Sequence, residues 1–404
     1  MSNIEKKSVA IVVCAWPPGG GGIGNNAYHQ AFKLAEIGYR VGVFTPYFKN
    51  IKIIEYPFAF QPLKTWCHWG KAGFMIGLLK KLKKYQIAHL YYPFFGSDIL
   101  VVWLKFFNPK IKLIIHYQMD PIARGLKGLI FKVYFFLMLP LLIRLVDRVG
   151  ILSYDHGENS YLKKYLVKYR DKFFELPNGV DTKIFAPVIR NKELMNFYGF
   201  GDNDRIIIFV GGLDDQHYFK GVPELLKAVS KLGLNFFPNV LNEPALKGNL
   251  SEFKGEAKVL IVGDGNLKSQ FEALAKSLGL EKRVFFIGWI DNKDLVDYYS
   301  LADVFVLPST VNVESFGIVV AEAQSCELPV IVSNWPGVRK TLADQETGFL
   351  VEPGDVDDLT KKLKSLLADR ELINRFGKAG RLRVISNYEW DKVIGLLDKV
   401  YNEL

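Results

Sequence analysis

Residues 308–333 read PSTVNVESFGIVVAEAQSCELPVIVS. Two glutamates here, Glu314 and Glu322, stand eight positions apart. The first falls in a loop; the second falls in an apolar run that predicts a helix. Ser315, Phe316 and Gly317 open that helix and Ile318 continues it. A helix start offers unpaired N–H groups and the positive end of a dipole, which suits a phosphate. Gly317 lets a ligand approach the backbone closely. A carboxylate on each side of an anion site accepts hydrogen bonds from sugar hydroxyls. That combination is what a nucleotide-sugar pocket requires. A buried helix that merely carries two glutamates is the plainer reading, and the surrounding chain decides against it.

Short β-branched runs alternate with longer helical patterns on the N-terminal side. Strands are predicted at Ser8–Ala15, Arg40–Thr45, Ile87–Tyr91, Lys112–His116 and Arg148–Ser153, with a helix near Asn25–Ile37. Alternation resumes at Ile206–Val210, Lys258–Val262, Val284–Ile287, Val304–Leu307, Val330–Ser333 and Gly348–Val351. Such βαβ alternation predicts parallel sheets covered by helices on both faces. The expected fold class is α/β, with two Rossmann-like doubly wound domains, and 404 residues are ample for two. Leu176–Pro187, LPNGVDTKIFAP, breaks the pattern and is read as the connection between them. The domains are therefore expected over 1–180 and 181–387, followed by an amphipathic helix over 388–404. Residues 233–257 form a weakly patterned insertion with no assigned role.

Ligands of doubly wound sheets bind beyond the carboxyl ends of the strands. The loops there are Gly211–Gly221, Gly263–Asn266, Gly288–Asn292 and Ser309–Gly317, and each carries a suggestive motif. Lys220, just before Gly221 at a predicted helix start, is a flexible point charge suited to a diphosphate. In the N-terminal half, Gly19, Gly21 and Gly24 satisfy the dinucleotide pattern G-x-G-x-x-G. That pattern also needs an acidic residue at the end of strand two to hold a ribose. The chain there reads Val43-Phe44-Thr45-Pro46-Tyr47, so an oxidoreductase is set aside. Asp202-Asn203-Asp204 and Asp355-Val356-Asp357 fit a metal-binding Asp-x-Asp only trivially. They lie away from the strand ends, and no metal or other cofactor is expected. A lysine and a helix start suffice for a diphosphate leaving group.

The span from Glu314 to Glu322 resembles the Glu-x7-Glu signature of the retaining glycosyltransferases of family four (group 1), which adopt the GT-B fold. FVGGLDDQHYFKGVPELLKA, residues 209–228, resembles the phosphate loop of the same family. The resemblance implies that Lys220 and the amides of Ser315, Phe316, Gly317 and Ile318 stabilise a departing diphosphate. It implies that Glu314 holds sugar hydroxyls and Glu322 the ribose. Members often carry an Arg directly after the first glycine, Gly211. Here that position is Gly212, and His217 in the extended loop is a candidate to assist. Gly263 and Gly265 resemble the turn beneath the diphosphate, and Ile290 the loop that faces the base. Gly21, Gly22 and Ile23 resemble the first loop, where backbone meets donor phosphate or acceptor. By the same resemblance, His116 is expected at the position whose imidazole or carbonyl faces the transferred sugar. Asp120 and Arg124 follow as weaker candidates on the same loop. Asn178-Gly179-Val180-Asp181 resembles the family hinge and is read as architecture. The resemblance implies a hexose or related sugar moved from a nucleoside-diphosphate donor to an acceptor hydroxyl. The donor is expected on the C-terminal domain and the acceptor on the N-terminal one, with domain closure excluding water.

Charge divides unevenly along the chain. Residues 1–175 carry 25 Lys and Arg against 10 Asp and Glu, a balance of +15; the remainder carries 27 against 32, a balance of −5. A basic half suits an anionic surface. No nucleic-acid motif accompanies it, so nucleic acid is not an expected partner. An inner-leaflet membrane surface is the expected partner, alongside a nucleotide-sugar donor and a glycan or lipid-linked acceptor. Thr65–Tyr85, TWCHWGKAGFMIGLLKKLKKY, reads as a basic amphipathic helix with aromatic flanks, able to lie among headgroups. Leu126–Val146 is very apolar but interrupted by Lys127, Lys132, Pro140 and Arg144. It is read as a helix packed on the sheet rather than a span. Cys14, Cys67 and Cys326 lack metal-ligand spacing and read as thiols of a reducing compartment. The first apolar run ends at Pro17-Pro18 and is read as a strand rather than a signal peptide. The expected location is cytoplasmic and peripheral at the inner membrane face.

Two other readings remain open on the residues alone. Another GT-B sugar-nucleotide enzyme, an epimerase or phosphorylase, would give product without an acceptor or carry a pyridoxal lysine. A non-catalytic binding subunit would keep the fold and leave the nucleotide pocket empty.

Overall fold

The computed structural model describes residues 6–17, 21–48, 55–69, 72–121, 125–232 and 256–404. Two units emerge: residues 1–179 together with Trp390–Leu404, and Val180–Glu389.

The first unit is built on β1 (Ser8–Val12), which leads to α1 (Gly21–Glu36), β2 (Arg40–Pro46) and β3 (Ala59–Leu63). The chain continues through β4 (Thr65–Trp69), β5 (Ala72–Met75) and α2 (Leu78–Leu82) to β6 (Ile87–Tyr92). After these come α3 (Asp98–Phe107), β7 (Lys112–Tyr117), α4 (Gly125–Leu145), β8 (Arg148–Ile151), α5 (Tyr154–Glu158), α6 (Lys163–Lys168) and β9 (Phe173–Glu175). Seven of these strands form one parallel sheet in the order β3-β2-β1-β6-β7-β8-β9. Strands covered on both faces lose the polar alternation of one-sided sheets and read as unbroken apolar runs. SVAIV and IAHLYY are buried at every position.

Thr65–Tyr85 departs from the expected amphipathic helix. It forms an antiparallel pair, with Thr65 opposite Met75 and Trp69 opposite Ala72, followed by the short α2. Met75, Leu78 and Leu82 are fully buried in the core. Part of the apolar character that suggested a membrane face is thus spent on the protein's own interior, although Trp66 and Ile76 stay exposed.

The second unit contains α7 (Lys192–Tyr198), β10 (Arg205–Val210), α8 (Val222–Lys231), β11 (Ala257–Val262), α9 (Lys268–Ser277) and β12 (Val284–Gly288). It continues with α10 (Asn292–Leu301), β13 (Val304–Leu307), α11 (Ile318–Ser325), β14 (Val330–Ser333), β15 (Gly348–Val351), α12 (Val356–Ala368) and α13 (Arg370–Asn387). Its six strands are parallel in the order β12-β11-β10-β13-β14-β15. The chain winds one way from β10 and the other way from β13. These two neighbours therefore bracket the switch point, where ligands of such sheets collect. The predicted insertion over 233–257 lies outside the described residues except for Glu256 and Ala257.

The last helix, α14 (Trp390–Glu403), belongs to the first unit. Trp390, Val393, Ile394, Leu397, Val400 and Tyr401 are buried against α1 and the β1–β2 side of the sheet. A side chain at Gly179 would put its Cβ 2.4 Å from the Trp390 ring, so the glycine makes room for that indole.

Candidate functional site

Lys220 and Glu314, 94 residues apart in the chain, meet at the β10–β13 switch point. Lys220 Nζ lies 3.0 Å from a Glu314 carboxylate oxygen. Their side chains are 12% and 17% exposed, so the pair is largely shielded yet reachable. Backbone contacts fix it. The turn over Tyr218–Lys220 is pinned by Thr310 N–H donating to Phe219 O at 2.7 Å. Gly221 follows with φ +79°, and a Cβ there would fall 1.9 Å from Pro308 O. Only glycine permits that approach of the two loops. Each member of the pair neutralises the other.

Beside Glu314 the chain turns into α11. Gly317 caps the helix in the left-handed conformation, φ +70°. A side chain there would meet Val338 Cγ2 at 2.8 Å as well as strain the backbone. Phe316 anchors the turn: it is buried, its ring edge-on to Tyr388 at 5.3 Å. Ser315 and Ile318 are half-buried on either side of it. The amides of this turn lie at the positive end of the α11 dipole and directly follow Glu314, the partner of Lys220.

Glu322 sits one turn into α11 and is 7% exposed. Burial pushes its carboxyl up to about 7, partly offset by the Tyr299 hydroxyl, which donates to Glu322 Oε2 at 3.4 Å. A carboxyl so weakly partnered retains capacity to accept hydrogen bonds.

The floor of this region is a knitted set of loops after β10, β11 and β12. Gly211 N–H donates to Val262 O at 2.9 Å, Leu213 N–H to Asp264 O at 3.0 Å, and Gly263 N–H to Gly288 O at 2.8 Å. Gly265 packs against Leu213, and Ile290 lies half-buried after β12. The neighbour of Gly212 is His217. A Cβ on residue 212 would lie 2.7 Å from His217 Nδ1. The imidazole therefore occupies the space that an arginine at 212 would enter. His217 Nδ1–H donates to Asp214, 2.9 and 3.0 Å from its two oxygens, and this orients the ring.

The candidates of the first unit are placed differently. His116 lies in β7 and is fully buried. Its Nε2 donates to Leu176 O at 3.0 Å, and among the described residues its Nδ1 has no hydrogen-bond partner. Burial lowers its pKa to about 4, so the ring is neutral at ordinary pH. The resemblance implies an imidazole or carbonyl facing a sugar; the imidazole is instead closed off within the core of its own unit. Asp120 is half-buried, accepts from the Tyr117 hydroxyl and takes Tyr161 N–H at 3.3 Å. It fastens its own loop to the start of the α6 region. Gly21 and Gly22 are exposed at the start of α1, and Ile23 packs against the core beneath. Gly19 and Arg124 lie outside the described residues. Asn178 is part of the architecture: Asn26 Nδ2 donates to its Oδ1 at 2.5 Å. Among the described residues, no group of three or more His, Cys, Asp or Glu is placed to hold a metal ion.

The chain is similar to known proteins in sequence and in fold. Residues 190–383 match the family described as Glycosyl transferases group 1. A GDP-mannose-dependent alpha-(1-6)-phosphatidylinositol monomannoside mannosyltransferase of Mycolicibacterium smegmatis is 30% identical over 221 residues. That match covers 53% of this chain and 52% of the relative, so the chain spans about half the length of the curated relatives it matches. Among solved structures, a sucrose-phosphate synthase from Thermosynechococcus elongatus aligns with a TM-score of 0.72 at 22% identity, over 98% of this chain and 99% of that one. The Anabaena protein HepE in complex with UDP-glucose aligns with a TM-score of 0.70 at 14% identity, over 98% and 100%. The fold is therefore the GT-B fold expected from the sequence.

Proposed function

We propose that this chain, whose residues 190–383 match the family described as Glycosyl transferases group 1, is a retaining glycosyltransferase. It moves a sugar from a nucleoside-diphosphate donor to an acceptor hydroxyl. The observation that carries this reading is the Lys220–Glu314 pair at the switch point, set against the start of α11.

The chemistry follows from charge. As the bond from the anomeric carbon to the diphosphate oxygen breaks, negative charge collects on that oxygen. Lys220 and the amides of Ser315–Ile318 stabilise it, without need of a metal ion. The pair with Glu314 holds the ammonium in place before the donor arrives, so little reorganisation is required. Once the diphosphate engages Lys220, Glu314 is freed to accept from sugar hydroxyls. Glu322 accepts from the ribose. His217, braced by Asp214 over Gly212, stands as a second basic group beside the phosphates. The acceptor oxygen bonds to the anomeric carbon on the face the diphosphate leaves. Its proton passes to the departing phosphate oxygen, so configuration is retained with no enzyme nucleophile.

We place the acceptor among lipid-linked or cell-envelope glycans. The named lipid substrate of the mycobacterial relative and the basic first unit of this chain support that choice. The test is to supply UDP-, GDP- and ADP-sugars with a membrane extract and to detect new glycolipid by mass. Glu314→Ala is expected to lose at least about 100-fold in transfer, in the range for removing one preorganised polar group, while its thermal transition persists. Normal turnover in that variant refutes the assignment.

A further inference from the structure

A helix that is apolar on every side is ordinarily buried. α4, GLKGLIFKVYFFLMLPLLIRL, is apolar around its whole circumference. Yet only 28% of the window Gly128–Leu145 is buried. One side, through Phe135, Leu139, Leu142 and Ile143, packs into the core of the first unit. The other side presents Leu129, Ile130, Val133, Phe136, Leu137 and Leu141 to solvent, Phe136 and Leu137 being 66% and 67% exposed. α3 packs against α4 and adds exposed Trp103, Phe106 and Phe107. Contiguous apolar patches of this kind mark interaction surfaces.

Charge identifies what covers the patch. α4 carries Lys127, Lys132 and Arg144, α6 carries Lys163, Lys164 and Lys168, and neither helix has an acidic residue. Between them lies a groove of about 800 Å³, floored by Phe135, Leu139 and Tyr165 and rimmed by Lys132, Lys163 and Lys164. Lys164 Nζ stands 5.1 Å above the Phe136 ring. Apolar floor and cationic rim match an acyl chain joined to an anionic headgroup, and lysines at a membrane surface are drawn to anionic lipid.

We propose that the solvent side of α3 and α4, with the α4–α6 groove, is a docking surface for an anionic phospholipid bilayer, the groove seating one acyl chain. α4 lies in the interface and does not span, because its inner side is committed to the core. The surface differs from the one the sequence suggested at Thr65–Tyr85.

The test uses the full chain and vesicles of phosphatidylcholine with and without about one-third phosphatidylglycerol. Flotation is expected with the anionic vesicles, weakened by high salt. Brominated acyl chains are expected to quench fluorescence in the wild type, and that quenching to shrink in Trp103→Phe. Phe136→Asp combined with Leu137→Asp is expected to lose tenfold or more of the binding. Lys132→Glu with Lys164→Glu is expected to do the same by charge alone, so a folding defect in one variant leaves the other decisive. Unaltered flotation in both variants, or no flotation of the wild type, overturns the proposal. So does resistance to alkaline extraction, which would indicate a span, or a dimer broken by Phe136→Asp without vesicle binding, which would make the face a contact between copies. Vesicle binding needs neither donor nor turnover, so it fails or succeeds independently of the transfer reaction.

Discussion

α11 and α4 are both apolar helices on parallel sheets, and they meet opposite fates. In α11, Val320, Ala321, Glu322, Ala323, Gln324 and Ser325 are all buried, the carboxylate among them. In α4, a row of large apolar side chains faces solvent among lysines. Hydrophobic composition alone therefore does not set a helix's destination. What its polar residues are doing is more informative. Under the proposed function, the lone carboxylate inside α11 serves a ligand pocket. In the proposed docking surface, the lysines around α4 meet anionic headgroups.

The sharpest way to break this contrast is to put a charge on each helix. Val320→Asp places a carboxylate where the side chain is fully buried in an apolar helix. Burying an unpaired charge is among the costliest single changes, about 4–5 kcal/mol or more. Denaturant unfolding should show this variant largely unfolded or with a sharply lowered midpoint. A near-native midpoint would mean that α11 is looser than it stands here, and that its amides are not a rigid anion site.

Glu322 offers an intermediate effect. Its carboxyl is raised from 4.5 to about 7 by burial. The folded protein thus keeps a proton that the unfolded chain releases above its ordinary value. The resulting stabilisation is complete below about 4.5, is lost as pH rises through about 7, and is absent above. Under the proposed function ligand binding runs the other way, because the ionised carboxylate is the stronger acceptor for a ribose hydroxyl. Nucleoside-diphosphate affinity is expected to fall by up to about tenfold per pH unit below 7. Glu322→Gln should flatten that dependence after the nucleotide's own titration is subtracted. Calorimetry between pH 5.5 and 8 checks both; identical profiles for the two proteins would remove Glu322 from the site.

Much of the frame was legible from residue types. Strands such as RIIIFV and VFVL are buried on both faces, so they appear as unbroken β-branched runs. Lys220 and Glu314 were each identifiable from the glycines around them, but their ion pair was not, since nothing local links positions 94 apart. Edge strand β3, AFQPL, escaped notice because it is short, half-buried and contains Pro62. Thr65–Tyr85 misled because lysines following aromatics imitate an amphipathic face, while pairing across the β4–β5 ladder leaves no periodic trace in so short a run. The burial of His116 was equally invisible: a histidine at a strand end reads the same whether it faces solvent or, as here, the Leu176 carbonyl.

The smallest expected effect tests the other half of the contrast. Phe136→Asp replaces an apolar ring that is 66% exposed, on a helix whose inner side stays packed. An exposed substitution of this kind shifts stability by about 0.5 kcal/mol or less. Its midpoint in denaturant should therefore match the wild type, although the change is as drastic chemically as Val320→Asp. If Phe136→Asp unfolds the first unit, then the ring contributes to the fold and the exposed row of α4 is core that happens to be thinly covered. If stability is unchanged, the apolar row is not needed for folding, and its conspicuous cost in exposed hydrocarbon must be offset by what binds there.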